Sequence, residues 1–231
     1  MPAYAKPKPI AAGPFTRQLC RISRGSIATM RVFIALGGSH FLVSLCLAQV
    51  PSPDYNIGDW WVFNLHGTGD ARTQYRETIS TVELDHIVVT TEKGGKRTYS
   101  QRMNPLDATR SEIPLVTFPL EVGKKWAAKI EWKNGTFYGV NSMKYEVVAK
   151  EEVVVPAGKF EAYRIEGFGF VDDKVANWGP VGGQPKVVEV FWYAPAVKRV
   201  VKYDNKNLKW IPPQFVETYS RHHELAEYQL Q

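Results

Sequence analysis

The chain has 231 residues, 44% of them apolar and 13% aromatic, with a formal net charge of +6. This length supports a hydrophobic core in one domain with an appendage. The charge would suit nucleic acid or an anionic membrane surface, but residues 1–48 hold Lys6, Lys8, Arg17, Arg21, Arg24 and Arg31 and no acidic residue, leaving 23 basic against 23 acidic residues beyond, so the remainder is neutral and a nucleic-acid partner is not expected.

Residues 1–29 are rich in Pro, Ala and Arg and show no period. They read as an unstructured extension, or as sequence upstream of a true start at Met30. Arg31 then precedes an uncharged run, Val32 to Leu47, that ends in "CLA". Cys46 and Ala48 fit the small-x-small rule, so 30–48 is expected to be a signal peptide cleaved after Ala48. The run is short for a bilayer span, which needs about 20 residues. An uncleaved anchor and a buried helix are the alternatives. Lipidation at Cys46 is disfavoured, because Leu45 stands where a lipobox requires Gly, Ala or Ser. Both cysteines, Cys20 and Cys46, lie in this leader, so residues 49–231 have no disulfide framework. The expected product is an exported protein, periplasmic or extracellular, touching membrane only through its signal segment.

The remainder reads as strands. "DWWVFNLH" (59–66), "TQYRETISTVEL" (73–84), "DHIVVTTE" (85–92) and "KRTYSQRM" (96–103) come first, with a tight hairpin at Lys93-Gly94-Gly95-Lys96. Adjacent Trp60 and Trp61 must face opposite ways, with the outward one exposed or covered by the loop carrying Trp178. "WAAKIEW" (126–132) alternates strictly, with Trp126, Ala128, Ile130 and Trp132 on one face. Asn134-Gly135 is a hairpin signal, because both positions must accept positive φ. "TFYGV" is the return strand. "KYEVVAKEEVVV" (144–155) puts Tyr145, Val147 and Ala149 on one face and blurs at Glu151-Glu152, where a bulge is expected. "PAGK" (156–159) is turn chemistry leading into "FEAYRIEGFGF". "KVVEVFWY" (186–193) turns at "APAV" into "KRVVKYD". The last segment, from Gln214, is expected to be a terminal edge strand. Segments 104–117 and 171–185 are the long loops.

The fold class is therefore all-β: a single antiparallel sheet of about ten strands curled into an open or closed barrel. A β-sandwich is the alternative. Residues 49–231 form the one domain.

Four stretches carry a resemblance: "IGDWWVF" (57–63), "LEVGKKWAAK" (120–129), "VVVPAGKFEAYRI" (153–165) and "FWYAPAVKRVVKY" (191–203). With their Val-Pro-Ala-Gly-x-Phe and Trp-Tyr-Ala-Pro turns they resemble a group of bacterial exported all-β proteins of unknown function, over roughly 57–229. The resemblance implies an open barrel, similar in shape to the periplasmic carriers of outer-membrane lipoproteins. It implies no catalytic residues. The chain departs from the group at Lys198, where many members have Gly, so a looser turn is expected there.

No G-x-S-x-G is present, and His66, His86, His222 and His223 show no catalytic spacing. No catalytic residue, cofactor or metal is assigned. "RHHE" would put His222 and Glu224 on one strand face, but two ligands do not make a zinc site. Asp172, Asp173 and Asn177 lack calcium-loop spacing. The aromatic residues are the candidate ligand-binding set: Trp126, Trp132, Tyr145, Tyr163 and Trp192, all expected on inward faces. They line an apolar cavity or simply fill the barrel core. The expected role is non-catalytic, binding a lipid or other apolar small molecule. The alternative is an envelope module that recruits another protein through a sheet edge.

Overall fold

The computed structural model describes residues 49–68, 72–107, 110–134, 137–172 and 185–231. The expected signal segment, the Asn134-Gly135 turn, Asp173, Asn177 and Trp178 lie outside the described residues in whole or in part. Ten strands follow in chain order: β1 (Trp60–Gly67), β2 (Arg72–Val82), β3 (Ile87–Thr91), β4 (Lys96–Tyr99), β5 (Lys125–Asn134), β6 (Phe137–Val155), β7 (Gly158–Asp172), β8 (Lys186–Ala194), β9 (Arg199–Ile211) and β10 (Gln214–Gln229). The one helical element among the described residues is a 3-10 turn, Pro195–Val197.

All ten strands form one antiparallel sheet in the order β4-β3-β2-β1-β10-β9-β8-β7-β6-β5. The sheet is open, neither a closed barrel nor a sandwich of two sheets. Two local meanders, β1–β4 and β5–β10, are joined by the β1–β10 pairing. The terminal strand is thus central: β10 lies between β1 and β9, and the edges belong to β4 and β5. "FYGV" (137–140) and "KYEVV" belong to one 19-residue strand, β6. Its bulge falls between Val147 and Ala149 rather than at Glu151-Glu152.

Consecutive strands β4 and β5 lie at opposite edges, so segment 100–124 crosses from one edge to the other. It is anchored by Asn104, whose Nδ2 donates to the Val116 carbonyl at 2.7 Å while its Oδ1 accepts from the Val116 N–H at 2.8 Å. Trp126 Nε1 on β5 donates to the Pro114 carbonyl at 2.7 Å. Leu120 is fully buried and bridges Val50. Val116 and Leu120 of this segment pack against Tyr145, Ile165 and Phe191 in one cluster.

Two cores result. The first gathers Trp61, Phe63, Ile79 and Val89 with the tip of the β6–β7 hairpin, including Val155, Phe160 and Ala162. The second gathers Leu120, Tyr145, Val147, Tyr163, Ile165 and Phe191. β7 serves both, because neighbours Ala162 and Tyr163 point opposite ways and both are buried. Each core offers the apolar burial that stabilises a sheet.

The turns follow their chemistry. Gly158 closes the β6–β7 turn at φ 131°, and Ala157 N–H there donates to the Leu225 carbonyl at 3.0 Å. The β3–β4 hairpin falls where expected, with Thr91 N–H donating to Gly95 at 2.9 Å. Lys198 ends the β8–β9 turn at φ 56°, ψ 25°, the left-handed conformation that glycine adopts at least cost. The turn is not loose. Its backbone oxygens accept from Tyr55 Oη at 2.8 Å, to Lys198, and from Trp61 Nε1 at 2.9 Å, to Val197.

Candidate functional site

The five aromatic candidates do not form one wall. Trp126 and Tyr145 stack at 5.5 Å between ring centroids. Tyr145 lies over Gly167 of the neighbouring strand, where an added Cβ would sit 2.3 Å from its ring. Trp132 covers Gly139 in the same manner and donates from Nε1 to Asn141 Oδ1 at 2.9 Å. Tyr163 is 3% exposed in the second core. These four pack in one cluster.

Trp192 is a correction. It lies on the opposite face of β8 from Phe191 and Tyr193, packs against the first core, and donates from Nε1 to Glu151 at 2.8 Å. Register explains the difference: the partner of Tyr163 is Tyr193, while Trp192 sits opposite Arg164. Trp60 and Trp61 divide as expected, Trp61 fully buried and Trp60 half-buried beneath Arg76 at 3.9 Å.

Trp126 and Tyr145 also border a wide-mouthed space of about 710 Å³ with Lys144, Glu146, Val148 and Phe168, and two further spaces lie towards β1, β2 and β10. An inner chamber of about 300 Å³ is walled by Phe63, Met103, Leu115, Val116, Phe191 and Val200. Segment 100–124 supplies three of these side chains. An outer chamber of about 370 Å³ is lined by Leu65, Thr73, Gln74, Thr91, Glu92 and Lys93. Both chambers share Tyr75, Arg97, Arg221 and His223. These four stand at the boundary between the two spaces, and both have mixed walls: the first also touches Glu77, Tyr99, Asn104, Arg199 and Tyr203.

Charge around the boundary is uneven. Glu77 is 2% exposed, yet it lies beneath the inner chamber. Its Oε1 accepts from Arg97 Nη1 at 3.2 Å and from Tyr99 Oη at 3.4 Å, and its Oε2 accepts from Arg199. Arg199 is packed between the rings of Trp61 at 5.4 Å and Tyr99 at 5.3 Å. Burial works against its charge, but Glu77 and the neighbouring tyrosines outweigh burial and raise its pKa. Across both chambers Lys93, Arg97, Arg199 and Arg221 face only Glu77 and Glu92. The lining therefore carries a net positive charge.

His223 Nδ1 lies 2.9 Å from Tyr75 Oη. Burial, then the positive charge of Arg221, lowers its pKa to about 4, so the ring is neutral at neutral pH. Burial, then Glu77, pushes the Tyr75 phenol up, which keeps it protonated. In the tautomer in which that hydroxyl donates to Nδ1, the ring proton sits on Nε2. This nitrogen is buried and has no hydrogen-bond partner among the described residues. Such groups are uncommon in folded proteins.

Behind His223 stands Tyr203, edge-on to its ring at 5.4 Å and stacked on Phe191 at 4.9 Å. Tyr203 Oη donates to Glu189 at 2.9 Å, as do Tyr145 Oη at 2.7 Å and Asn205 Nδ2 at 3.1 Å. Burial pushes the Glu189 carboxyl up, and those three donors pull it partly back. His222, on the other face of β10, pairs instead with Asp204 and with Glu224 Oε1 at 3.2 Å. The shared face expected for His222 and Glu224 is present, and it is separate from the chambers.

Sequence reading passed over Glu77, Arg97, Arg199, Arg221 and Glu189. A signal was available for two of them. Glu77 alternates with Tyr75 and Ile79, and Glu189 with Val187 and Phe191. An acidic residue on the apolar side of a strand is the mark of a buried polar pair.

No protein-family model matches this chain, and no curated protein sequence matches it. Several solved structures are similar in shape. The hypothetical lipoprotein YmcC from Escherichia coli is 9% identical with a TM-score of 0.45, covering 73% of this chain and 84% of that one. A candidate lipoprotein from Parabacteroides distasonis is 15% identical with a TM-score of 0.44, covering 78% and 97%. A candidate exported protein of YmcC-like fold from Bacteroides fragilis is 13% identical with a TM-score of 0.46, covering 78% and 99%.

Proposed function

We propose that this chain is an exported, non-catalytic protein of the bacterial envelope that holds a small amphipathic ligand inside its curled sheet. The observation that carries the reading is the pair of adjoining chambers, each with apolar and polar walls, that share Tyr75, Arg97, Arg221 and His223. Binding sites are concave, mostly apolar, and oriented by a few convergent polar groups, with volumes from about 300 Å³ upward. The signal-like run before Gln49 supports export. The ligand contacts of this reading are the walls named for the two chambers, while Trp126, Trp132, Tyr145 and Tyr163 serve as scaffold.

Recruitment of a partner through a sheet edge receives less support. The longer edge strand, β5, exposes Lys125 and Lys129, and edge lysines discourage strand addition.

Native mass spectrometry of protein purified from its own host tests the reading. A co-purifying small molecule of defined mass, released on denaturation, is the expected result. Protein that is consistently empty, and that also takes up no offered amphipath, would overturn it.

A further inference from the structure

We infer that the boundary between the two chambers is a binding site for the anionic headgroup of the ligand, with a carboxylate as the simplest case. This inference rests on the proposed binding function and adds the chemistry of the headgroup.

Three observations converge. Phe63, Leu115, Val116 and Phe191 give the inner chamber an apolar wall next to the boundary. An amphipath with its chain against that wall places its head at the boundary. The boundary itself carries two guanidiniums, Arg97 and Arg221. Glu77 already has Arg199 as a partner, so Arg97 is only partly neutralised. Arg221 stacks on Tyr219 at 5.6 Å and pairs with no carboxylate among the described residues. The third observation is the buried, unpartnered Nε2 of His223 at the same boundary.

A carboxylate oxygen seated there would accept from His223 Nε2–H and take charge-assisted bonds from the two guanidiniums. It would satisfy the one orphaned polar atom of the boundary and reduce the surplus of positive charge. The chain of the ligand would lie against Phe63, Leu115 and Phe191. A neutral head of equal size would satisfy His223 but leave the charge surplus in place.

Isothermal titration with decanoate, 1-decanol and acetate tests the inference on the chain from Gln49 onward. Decanoate should bind at least about tenfold more tightly than 1-decanol, and acetate should not bind measurably. Arg221→Gln should weaken decanoate several-fold more than 1-decanol and so narrow the ratio between them. Its side chain is exposed, so the fold should tolerate the change, and circular dichroism checks that. Equal affinity for decanoate and 1-decanol would overturn the headgroup inference and leave the binding function standing. Acetate binding as tightly as decanoate would also overturn it, because the boundary would then be an anion site with no use for a chain. Binding of none of the three would overturn the underlying function.

Discussion

Lys198 Nζ lies 3.5 Å from Asp59 Oδ2, and the carboxylate is fully buried. The two residues are 139 positions apart. Asp59 also accepts from the Asn56 N–H at 3.0 Å and the Gln231 N–H at 2.8 Å. One carboxylate thus ties the entry to β1, the end of β10 and the β8–β9 turn. Removing it leaves three donors without their acceptor. Asp59→Ala should cost about 3 kcal/mol, read as a lowered urea midpoint with tryptophan fluorescence. A loss below about 1 kcal/mol would show that solvent replaces the carboxylate.

Lys198 itself is in tension with its backbone. Its left-handed conformation costs a non-glycine residue about 1 kcal/mol, while its ammonium stabilises Asp59. Lys198→Ala loses the ammonium and keeps the backbone cost. Lys198→Gly loses the ammonium and relieves the cost. The glycine variant should therefore be the more stable of the two by about 1 kcal/mol, compared by chemical denaturation. Equal stabilities would show that the turn holds no such strain.

Tyr145 needs Gly167 beneath it. A methyl at that position would sit 2.3 Å from the ring, so Gly167→Ala should cost about 2–3 kcal/mol by overpacking. The same change in a Tyr145→Leu background should cost much less, because the ring that it strikes is gone. A double-mutant cycle measures the coupling. Strict additivity would sink the explanation.

His223 and Glu189 set opposing pH dependences. His223 titrates at about 4 in the folded chain and near 6.5 when unfolded. Between these values the unfolded chain binds the extra proton, so stability falls as pH drops from 6.5 towards 4. Glu189 has a raised folded pKa. There the folded chain binds its proton first, so acidification through that pKa adds stability down to about 4.5, near the unfolded value. His223→Gln should lose about 1–2 kcal/mol less than the parent between pH 7 and 4.5, allowing for partial solvent access. Glu189→Gln should lose more than the parent over the same interval. Guanidinium midpoints at the two pH values measure both. Identical slopes in all three proteins would remove both assignments.

The local features were legible in the sequence because their causes are local. "WAAKIEW" alternates as expected, with Ala128 buried between exposed Ala127 and Lys129. Gly94-Gly95 and Pro156 to Lys159 turn where they should. What was not legible depends on partners distant in the chain. The charges of Glu151-Glu152 resemble an interruption, yet the strand absorbs them and slips at Val148, where β6 must follow β7. Trp192 alternates correctly, but β8 is buried on both sides at its end, which one strand's pattern cannot reveal. The chamber boundary assembles Tyr75 of β2, Arg97 of β4, and Arg221 and His223 of β10. Each is an ordinary strand residue until the sheet brings four of them together.

The order of the sheet also bears on how the chain folds. Nearly every pairing joins strands adjacent in sequence, and these close short loops at small entropic cost. β1 with β10 is the exception, with Trp60 opposite Gln229. The first core, which packs Trp61 and Ile79 against Val155 and Phe160, is complete only once that seam closes. Once the seam is made, segment 100–124 is no longer the sole tie between the halves. A protease cut there should leave two fragments that migrate as one particle until a denaturant separates them.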